Sequence, residues 1–367
     1  MIRVLHVNGE MGWGGNEQQL VDSILSFPVN EVKNVVYCAE NGALSRRLST
    51  IDGVQLIYSK VAKFKKNKSH FRGVVSSIKP DVIHIHTGSA LTLFYMAYLF
   101  TAVEARVVFS KKGMGSSMSF LSKLKYNFKR IDVIICVSDF IKNAMATQIM
   151  FRKNLNKLVV VSDGVKEERI PVNKGDSFLE KNTKTVQLLN IANHTLSKDL
   201  EVLVDAINYL VRDLGFTDFY LHQVGAQSRL TESIKNRIDN YNLTEYIKMY
   251  DFVEDASSAL HHVDMLIMTS KKEGGPSCII EAMSQKVAVV TTDVGIVPQA
   301  IVSNQNGIVA PVKDFRGIAN GIMQLSKDPD LREVFANRSY EIYANNFTAA
   351  ITAQKTLDVY RSVASIS

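Results

Sequence analysis

Short apolar runs recur along this chain, and the segments between them carry apolar residues three and four apart. In the first half the runs are Val4–Val7, Asn34–Cys38, Val54–Ile57, Asp81–His86, Arg106–Phe109, Val133–Val137 and Leu158–Val161. Segments such as Gln19–Leu25 and Phe140–Ile149 have the helical spacing. Strands that alternate with helices pair in parallel and need cover on both faces, so the pattern predicts an α/β fold. The stretch Lys166–Lys184 breaks the alternation with polar residues, Pro171 and Gly175, and reads as a linker. The pattern then restarts with Val186–Ile191, Phe219–Val224, Ile247–Tyr250, Met265–Met268 and Val287–Thr291. A chain of 367 residues has room for two such domains. The expected division is 1–170 and 171–347, with a final helix over 348–364 returning to the first domain. Open α/β sheets bind ligands outside the carboxyl ends of their strands, which places the expected site in a cleft where two facing domains meet.

Hydrophobic residues make up 46% and charged residues 22%, a globular composition that excludes a disordered or collagen-like chain. Cys38, Cys136 and Cys278 are odd in number and far apart, which argues against a disulfide framework or a zinc ribbon and for a reducing compartment. The opening residues Met1–Asn8 read as a first strand and not as a signal peptide. The apolar run Ala90–Val103 falls short of the roughly 20 residues that cross a bilayer as a helix, and reads as a buried helix. Neither a 20–50-residue repeat nor a low-complexity tract is visible.

Charge divides unevenly. Residues 1–180 hold 25 Lys and Arg against 15 Asp and Glu, whereas residues 181–367 hold 18 against 21. A basic first half points to a polyanionic partner, either an anionic membrane surface or nucleic acid. Two stretches carry most of the excess, Lys60–Arg72 and Phe120–Arg130. The second places Phe120, Leu121, Leu124 and Phe128 on one helical face beside Lys123, Lys125, Lys129 and Arg130. Such helices lie on anionic membranes or pack on their own domain. No nucleic-acid module is recognisable in the basic half, so nucleic acid is not the expected partner.

The segment Glu273-Gly274-Gly275-Pro276-Ser277-Cys278-Ile279-Ile280-Glu281-Ala282-Met283 follows an apolar strand and turns helical from Ile279. Gly274 and Gly275 allow a ligand close to the backbone, and the N–H groups of a helix start suit phosphate or sugar oxygens. Two carboxylates eight residues apart, one before the helix and one inside it, can accept bonds from ligand hydroxyls. A capped helix with two solvated glutamates is the ordinary alternative.

This segment resembles the E-x7-E signature of the retaining glycosyltransferases of family 4, which have the GT-B fold of two facing Rossmann-like domains. Asp264–Ser270 resembles the family's preceding strand, with Thr269 where proline is common, and Asn306-Gly307-Ile308-Val309 its late glycine turn. Gly14-Gly15-Asn16-Glu17 resembles the glycine loop after the first strand. Asp132–Ser138 and Asp163-Gly164-Val165 follow in the family's order, so the resemblance covers most of the chain.

The resemblance implies that Glu281 binds the ribose of a nucleotide sugar and that Glu273, with Gly274, Gly275, Pro276 and Ser277, holds the sugar ring. Gly14 and Gly15 join the donor site. The family's phosphate clamp is an arginine and a lysine. Lys198 stands at the lysine, and Asn193 where the arginine is expected, with His194, Lys111 or Lys112 as candidates to supply the charge. Lys112 also falls where the family has a histidine near the donor sugar. Glu273 and Lys198 are the expected catalytic pair, and His86 the acceptor-side residue.

Other patterns carry less. His84 and His86 lie two apart on a strand and share a face, which could seed a metal site with His261 and His262, but no spacing matches a known ligand set and no metal is expected. Asp328-Pro329-Asp330 spells D-x-D, yet reads as a proline turn. The run Gly9–Gly15 misses the dinucleotide fingerprint because Glu17 stands where a glycine is required.

The expected protein is thus a cytoplasmic, retaining glycosyltransferase, peripheral on the inner membrane face and using no cofactor. It would move one sugar from a nucleotide diphosphate sugar, UDP favoured, to a hydroxyl of a glycan such as lipopolysaccharide core or a lipid-linked oligosaccharide. A nucleotide-sugar epimerase is the rival enzyme, and a basic-faced nucleic-acid-binding protein the rival without catalysis.

Overall fold

The computed structural model describes all residues except 61–62, 114–119, 167–177, 181, 183 and 366–367. Pro171, Gly175 and most of the expected linker therefore lie outside the described residues. The chain forms two compact units, Met1–Gly164 with Ala349–Ser367, and Val165–Thr348.

The first unit holds seven parallel strands, β1 (Ile2–Val7), β2 (Val32–Cys38), β3 (Gln55–Tyr58), β4 (Val82–Ile85), β5 (Arg106–Lys111), β6 (Val133–Cys136) and β7 (Leu158–Val160). Its helices are α1 (Gly15–Ser26), α2 (Ala43–Leu48), α3 (Lys68–Ile78), α4 (Gly88–Tyr98), α5 (Phe120–Tyr126) and α6 (Asp139–Ala146). The second unit has β8 (Val186–Ile191), β9 (Phe219–Val224), β10 (Ile247–Tyr250), β11 (Met265–Met268), β12 (Ala288–Thr292) and β13 (Ile308–Ala310). With them run α7 (Leu200–Arg212), α8 (Thr231–Asn240), α9 (Ser277–Ser284), α10 (Val297–Ala300), α11 (Phe315–Lys327) and α12 (Pro329–Asn346). The last helix, α13 (Ala349–Ala364), belongs to the first unit.

The strand orders are β3-β2-β1-β4-β5-β6-β7 and β10-β9-β8-β11-β12-β13. In each, the chain builds outward from the first strand, then crosses back to build the other way. The strands β1 and β4, and β8 and β11, therefore flank a switch point where loops diverge and leave a crevice. Strands buried on both faces need apolar residues at every position, and β4, β11 and β12 are buried throughout. The run Ala90–Val103 contributes to α4, whose Leu91, Leu93 and Phe94 pack in the first core, and among the described residues no helix is long and apolar enough to cross a membrane. All three cysteines are free and buried.

Two local readings differ from expectation. Strand β13 completes the second sheet where only a turn was expected, because its three residues are too few to show a period. Asp328-Pro329-Asp330 is the start of α12 rather than a free turn. Leu331 N–H donates to Asp328 Oδ1 (2.9 Å), and Pro329 occupies the first helical turn, where its missing N–H is harmless.

Candidate functional site

In the second unit the candidate residues gather past the carboxyl ends of β8 and β11, at the switch point. The loop after β8 is held by its neighbours. Ala192 N–H donates to Val224 O (2.8 Å), and Ala226 N–H to Asn193 Oδ1 (2.8 Å). A Cβ on Gly225 would sit 2.0 Å from Ala192 O, so only glycine fits there. Further on, Asp199 has φ 49°, a left-handed conformation that aspartate tolerates better than most residues. Thr269 Oγ1, just past β11, donates to the Asp199 and Lys198 carbonyls (3.3 and 3.4 Å), which pins this turn to the loop carrying Glu273.

The turn brings Lys198 Nζ to 2.6 Å from Glu273 Oε1, and Ser270 Oγ donates to the same oxygen (2.8 Å). Burial alone would push the Lys198 ammonium down, but Glu273 and the nearby Cys278 hold it above its ordinary value. Lys198 therefore stays charged at neutral pH. Burial pushes the Cys278 thiol up to about 12, which makes it an unreactive filler. Glu273 precedes α9, whose N-terminal residues are Pro276 and Ser277, and Glu281 sits inside that helix at 7% exposure. Gly274 and Gly275 form the bend between. Gly295 backs it with φ 62°, and a Cβ there would lie 2.7 Å from Gly274 O. Thr292 Oγ1 also ties Ser270 O at 2.5 Å. Lys198, Glu273 and the start of α9 thus form one constellation.

Asn193 stands where the resemblance led to an arginine being expected. The Asn193 amide is spent on its loop. His194 is buried, its Nδ1 bonded to Thr231 (2.7 Å) and its Nε2 to Gln223 (2.9 Å), so both ring nitrogens are committed within the second unit. A second lysine beside this loop, which sequence reasoning did not single out, is Lys271. Its N–H donates to Ser197 O (2.8 Å), and its ammonium lies 3.8 Å from Asp199 Oδ2, on an exposed side chain. Nothing in the sequence marks it, because the bond that places it joins loops 74 positions apart in the chain.

In the first unit, Gly14 caps α1 in extended conformation and Gly15 begins it. Glu17 folds back into the loop, accepting from Asn8 Nδ2 (3.0 Å). Burial raises its pKa, and bonds from Asn8 and the loop backbone counter it. Lys112 is paired with Asp163, which is 5% exposed, so its charge is neutralised within its own unit. Lys111 lies over the Tyr126 ring, 5.3 Å from its centroid.

His86 follows β4 directly and is 8% exposed. His84 and His86 do share a face, with ring centroids 4.0 Å apart. The third imidazole beside them is His6 of β1, and one ring nitrogen of each lies within 4.8 Å of the others. His261 and His262 belong to the second unit. His6 bonds His86 (3.1 Å) and Asn34 (3.0 Å), while His84 bonds Tyr360 (2.5 Å) and Ser110 (2.7 Å). Burial lowers all three pKa values, that of His6 to about 4.

Comparison with known proteins adds the family. The model for Glycosyl transferases group 1 matches residues 173–342, and that for Glycosyltransferase Family 4 matches 30–169. An uncharacterized glycosyltransferase of Methanocaldococcus jannaschii is 23% identical over 86% of this chain and 82% of its own. The capsular polysaccharide biosynthesis glycosyltransferase CapM of Staphylococcus aureus is 23% identical over 91% and 86%. Among solved structures, Anabaena HepE in complex with UDP and glucose superposes with a TM-score of 0.81 at 16% identity, covering 99% of this chain and all of that one.

The neutral histidines predict an acid response. A His6 with a folded pKa near 4 and an unfolded one near 6.5 stabilises the fold fully above pH 6.5. That stability is lost as pH falls toward 4, by roughly 3 kcal/mol from His6 alone. Urea midpoints measured from pH 7.5 to 5 should fall steadily below 6.5. A flat profile would mean that the imidazoles are charged in the fold.

Proposed function

The chain belongs to glycosyltransferase family 4 and has the GT-B fold, and we propose that it is a retaining enzyme moving one sugar from a UDP-sugar to a hydroxyl of a glycan. The observation that carries this reading is the ion pair of Lys198 and Glu273 beside the start of α9. A nucleotide diphosphate sugar presents a pyrophosphate, a ribose diol and a sugar ring, and this constellation has a complement for each. Lys198 and Lys271 neutralise the phosphates, Glu281 accepts bonds from the ribose hydroxyls, and Glu273 with the Gly275–Ser277 backbone accepts and donates to the sugar. Asn193 shapes the loop on which Lys198 sits. The family resemblance adds Gly14, Gly15 and Lys112 of the first unit as candidates for the donor and His86 as a candidate for the acceptor, Lys112 being paired with Asp163 in the free protein. With two lysines for the leaving group, the reading calls for no metal.

In the reaction the bond between the sugar's anomeric carbon and the β-phosphate breaks, and the acceptor oxygen bonds to that carbon on the same face. The acceptor's proton passes to the departing phosphate. No side chain need act as nucleophile, so rate comes from holding the partners and stabilising phosphate charge. The preference for UDP draws support from the UDP complex of Anabaena HepE. The role of CapM in capsular polysaccharide synthesis favours a polysaccharide or lipid-linked acceptor, such as lipopolysaccharide core.

Two measurements test donor handling. Glu281→Gln should weaken UDP binding by roughly 1–3 kcal/mol, the scale of a lost charged hydrogen bond. Lys271→Met should weaken it to a similar extent, and unchanged affinity in calorimetry for both variants removes these assignments. The anomeric proton coupling of the product should match that of the donor, and an inverted product contradicts the retaining mechanism.

The same reading places the enzyme in the cytoplasm, on the anionic inner leaflet. The apolar face of the Phe120–Arg130 stretch is only half used. Phe128 is buried, but Phe120 and Leu121 are 68% and 69% exposed, and Phe100 after α4 is 92% exposed. Apolar side chains among lysines suit an anionic interface, where each Lys or Arg contributes about 1 kcal/mol. Replacing Lys123, Lys125, Lys129 and Arg130 with Gln should release the protein from phosphatidylserine vesicles at low salt while turnover of a short soluble acceptor persists. A variant that still sediments with the vesicles removes this helix as the contact.

A further inference from the structure

At the amino ends of the first unit's strands lies an open groove of about 880 Å³. It sits at the opposite end of the parallel sheet from His86 and Lys112. From α3 its lining takes Arg72, Val75, Ser76 and Lys79, the i, i+3, i+4 and i+7 positions of one helical face. That face presents a guanidinium, a hydroxyl and an ammonium in order over two turns, roughly 10 Å along the helix axis. The two long cationic side chains span this distance around one phosphate-sized anion. Arg72 and Lys79 are both exposed, and no described residue bonds or pairs with either side chain. A helix C-terminus ordinarily repels anions, because its last carbonyls carry partial negative charge. Here Arg3 covers them, its Nη1 donating to Ile78 O (2.8 Å) and Lys79 O (3.4 Å).

Tyr98 of α4 adds an observation independent of α3. It lines the groove and is 4% exposed, with its ring packed on Phe71 and Phe94. Its hydroxyl nevertheless has no hydrogen-bond partner among the described residues. Burial pushes the phenol up to about 12 against the nearby charge of Arg72, so the group stays a neutral O–H donor. A polar group on a side chain set this deep is normally bonded, so the free hydroxyl marks a place for a ligand oxygen. Carboxylates share the lining. Asp81 Oδ2 accepts from the Arg3 backbone N–H (2.7 Å), whereas Glu104 is exposed and without a described partner. The third cation, Arg106, is paired with Asp132 (3.5 Å). A free carboxylate repels a ligand that is anionic throughout, and accepts from hydroxyl groups. Cations and a carboxylate together therefore select a small molecule with phosphate at one end and hydroxyls at the other.

We propose that this groove binds a hydroxyl-bearing phosphate ester, with Arg72, Lys79 and the Tyr98 hydroxyl on the phosphate and Glu104 on a ligand hydroxyl. Sugar phosphates and polyol phosphates have this chemistry, whether free in solution or as the headgroup of a lipid. The groove's volume falls in the range of roughly 300–1,000 Å³ that holds small ligands. The site belongs wholly to the first unit, whereas Lys198 and Glu273 belong to the second. It therefore stands without the glycosyltransferase reading.

Equilibrium dialysis of the full chain against radiolabelled glycerol 3-phosphate and glucose 6-phosphate tests the proposal. At least one ester should bind with a Kd below about 1 mM, and inorganic phosphate about tenfold more weakly. Arg72→Gln and Lys79→Gly should each weaken the ester about tenfold, and Tyr98→Phe about threefold. Lys79 has φ 47°, a left-handed conformation that glycine adopts without strain, so Lys79→Gly should leave the thermal midpoint no lower than that of wild type. Saturating UDP should leave the ester bound. Failure of both esters to bind at about 10 mM overturns the proposal. So do affinities that Arg72→Gln and Lys79→Gly leave unchanged, and inorganic phosphate bound as tightly as the esters. Displacement by UDP overturns it as well, by assigning the ester to the donor site. Phosphatidylglycerol vesicles then distinguish the two sources of this chemistry. Vesicles that displace the soluble ester identify a lipid headgroup, and an ester that stays bound identifies a free metabolite.

Discussion

Everything in the second unit's site hangs on the contact between Lys198 and Glu273. A lysine this withdrawn from water is unfavourable alone, because burial disfavours its charge. Glu273 at 2.6 Å restores that charge, and Ser270 shares the carboxylate. The pair also sets backbone geometry. It ties the turn after β8 to the loop after β11, two strands that are neighbours only because the sheet order reverses between them. Gly225 and Gly295 permit the close backbone approaches on either side of this junction. Removing either charge would strand the other partly buried, so the site and its scaffold are one interaction.

The two units handle polar burial differently. The second places charge at its switch point and balances it with opposite charge. The first buries neutral imidazoles there and meets their hydrogen bonds with Asn34, Ser110 and Tyr360. Of the two lysines at the end of β5, Lys112 is neutralised by Asp163 and Lys111 lies over the Tyr126 ring. Charge suits the handling of phosphate, while neutral donors and acceptors suit hydroxyl groups, which gain nothing from a field.

The strands were legible in the sequence because both faces of a parallel sheet are buried, so that Val133–Cys136 or Met265–Met268 show as unbroken apolar runs. Strand β13 was not, being three residues long after a turn. In the site, Glu273 and Glu281 stood out through their spacing within one segment. Lys271 and His6 did not, for a common reason. Each is placed by a pairing between distant parts of the chain, Lys271 by a loop-to-loop bond to Ser197 and His6 by strand register with His84, and such pairings leave no local trace. The role of Asn193 was hidden in the same way. Its identity was visible, and its bond to Ala226 was not.

A crystal structure of the chain with UDP tests the central claim most directly. The predicted result is a pyrophosphate within hydrogen-bond distance of Lys198 Nζ and Lys271 Nζ, with both ribose hydroxyls on the Glu281 carboxylate. A nucleotide whose phosphates touch neither lysine, or whose ribose lies away from α9, would contradict it.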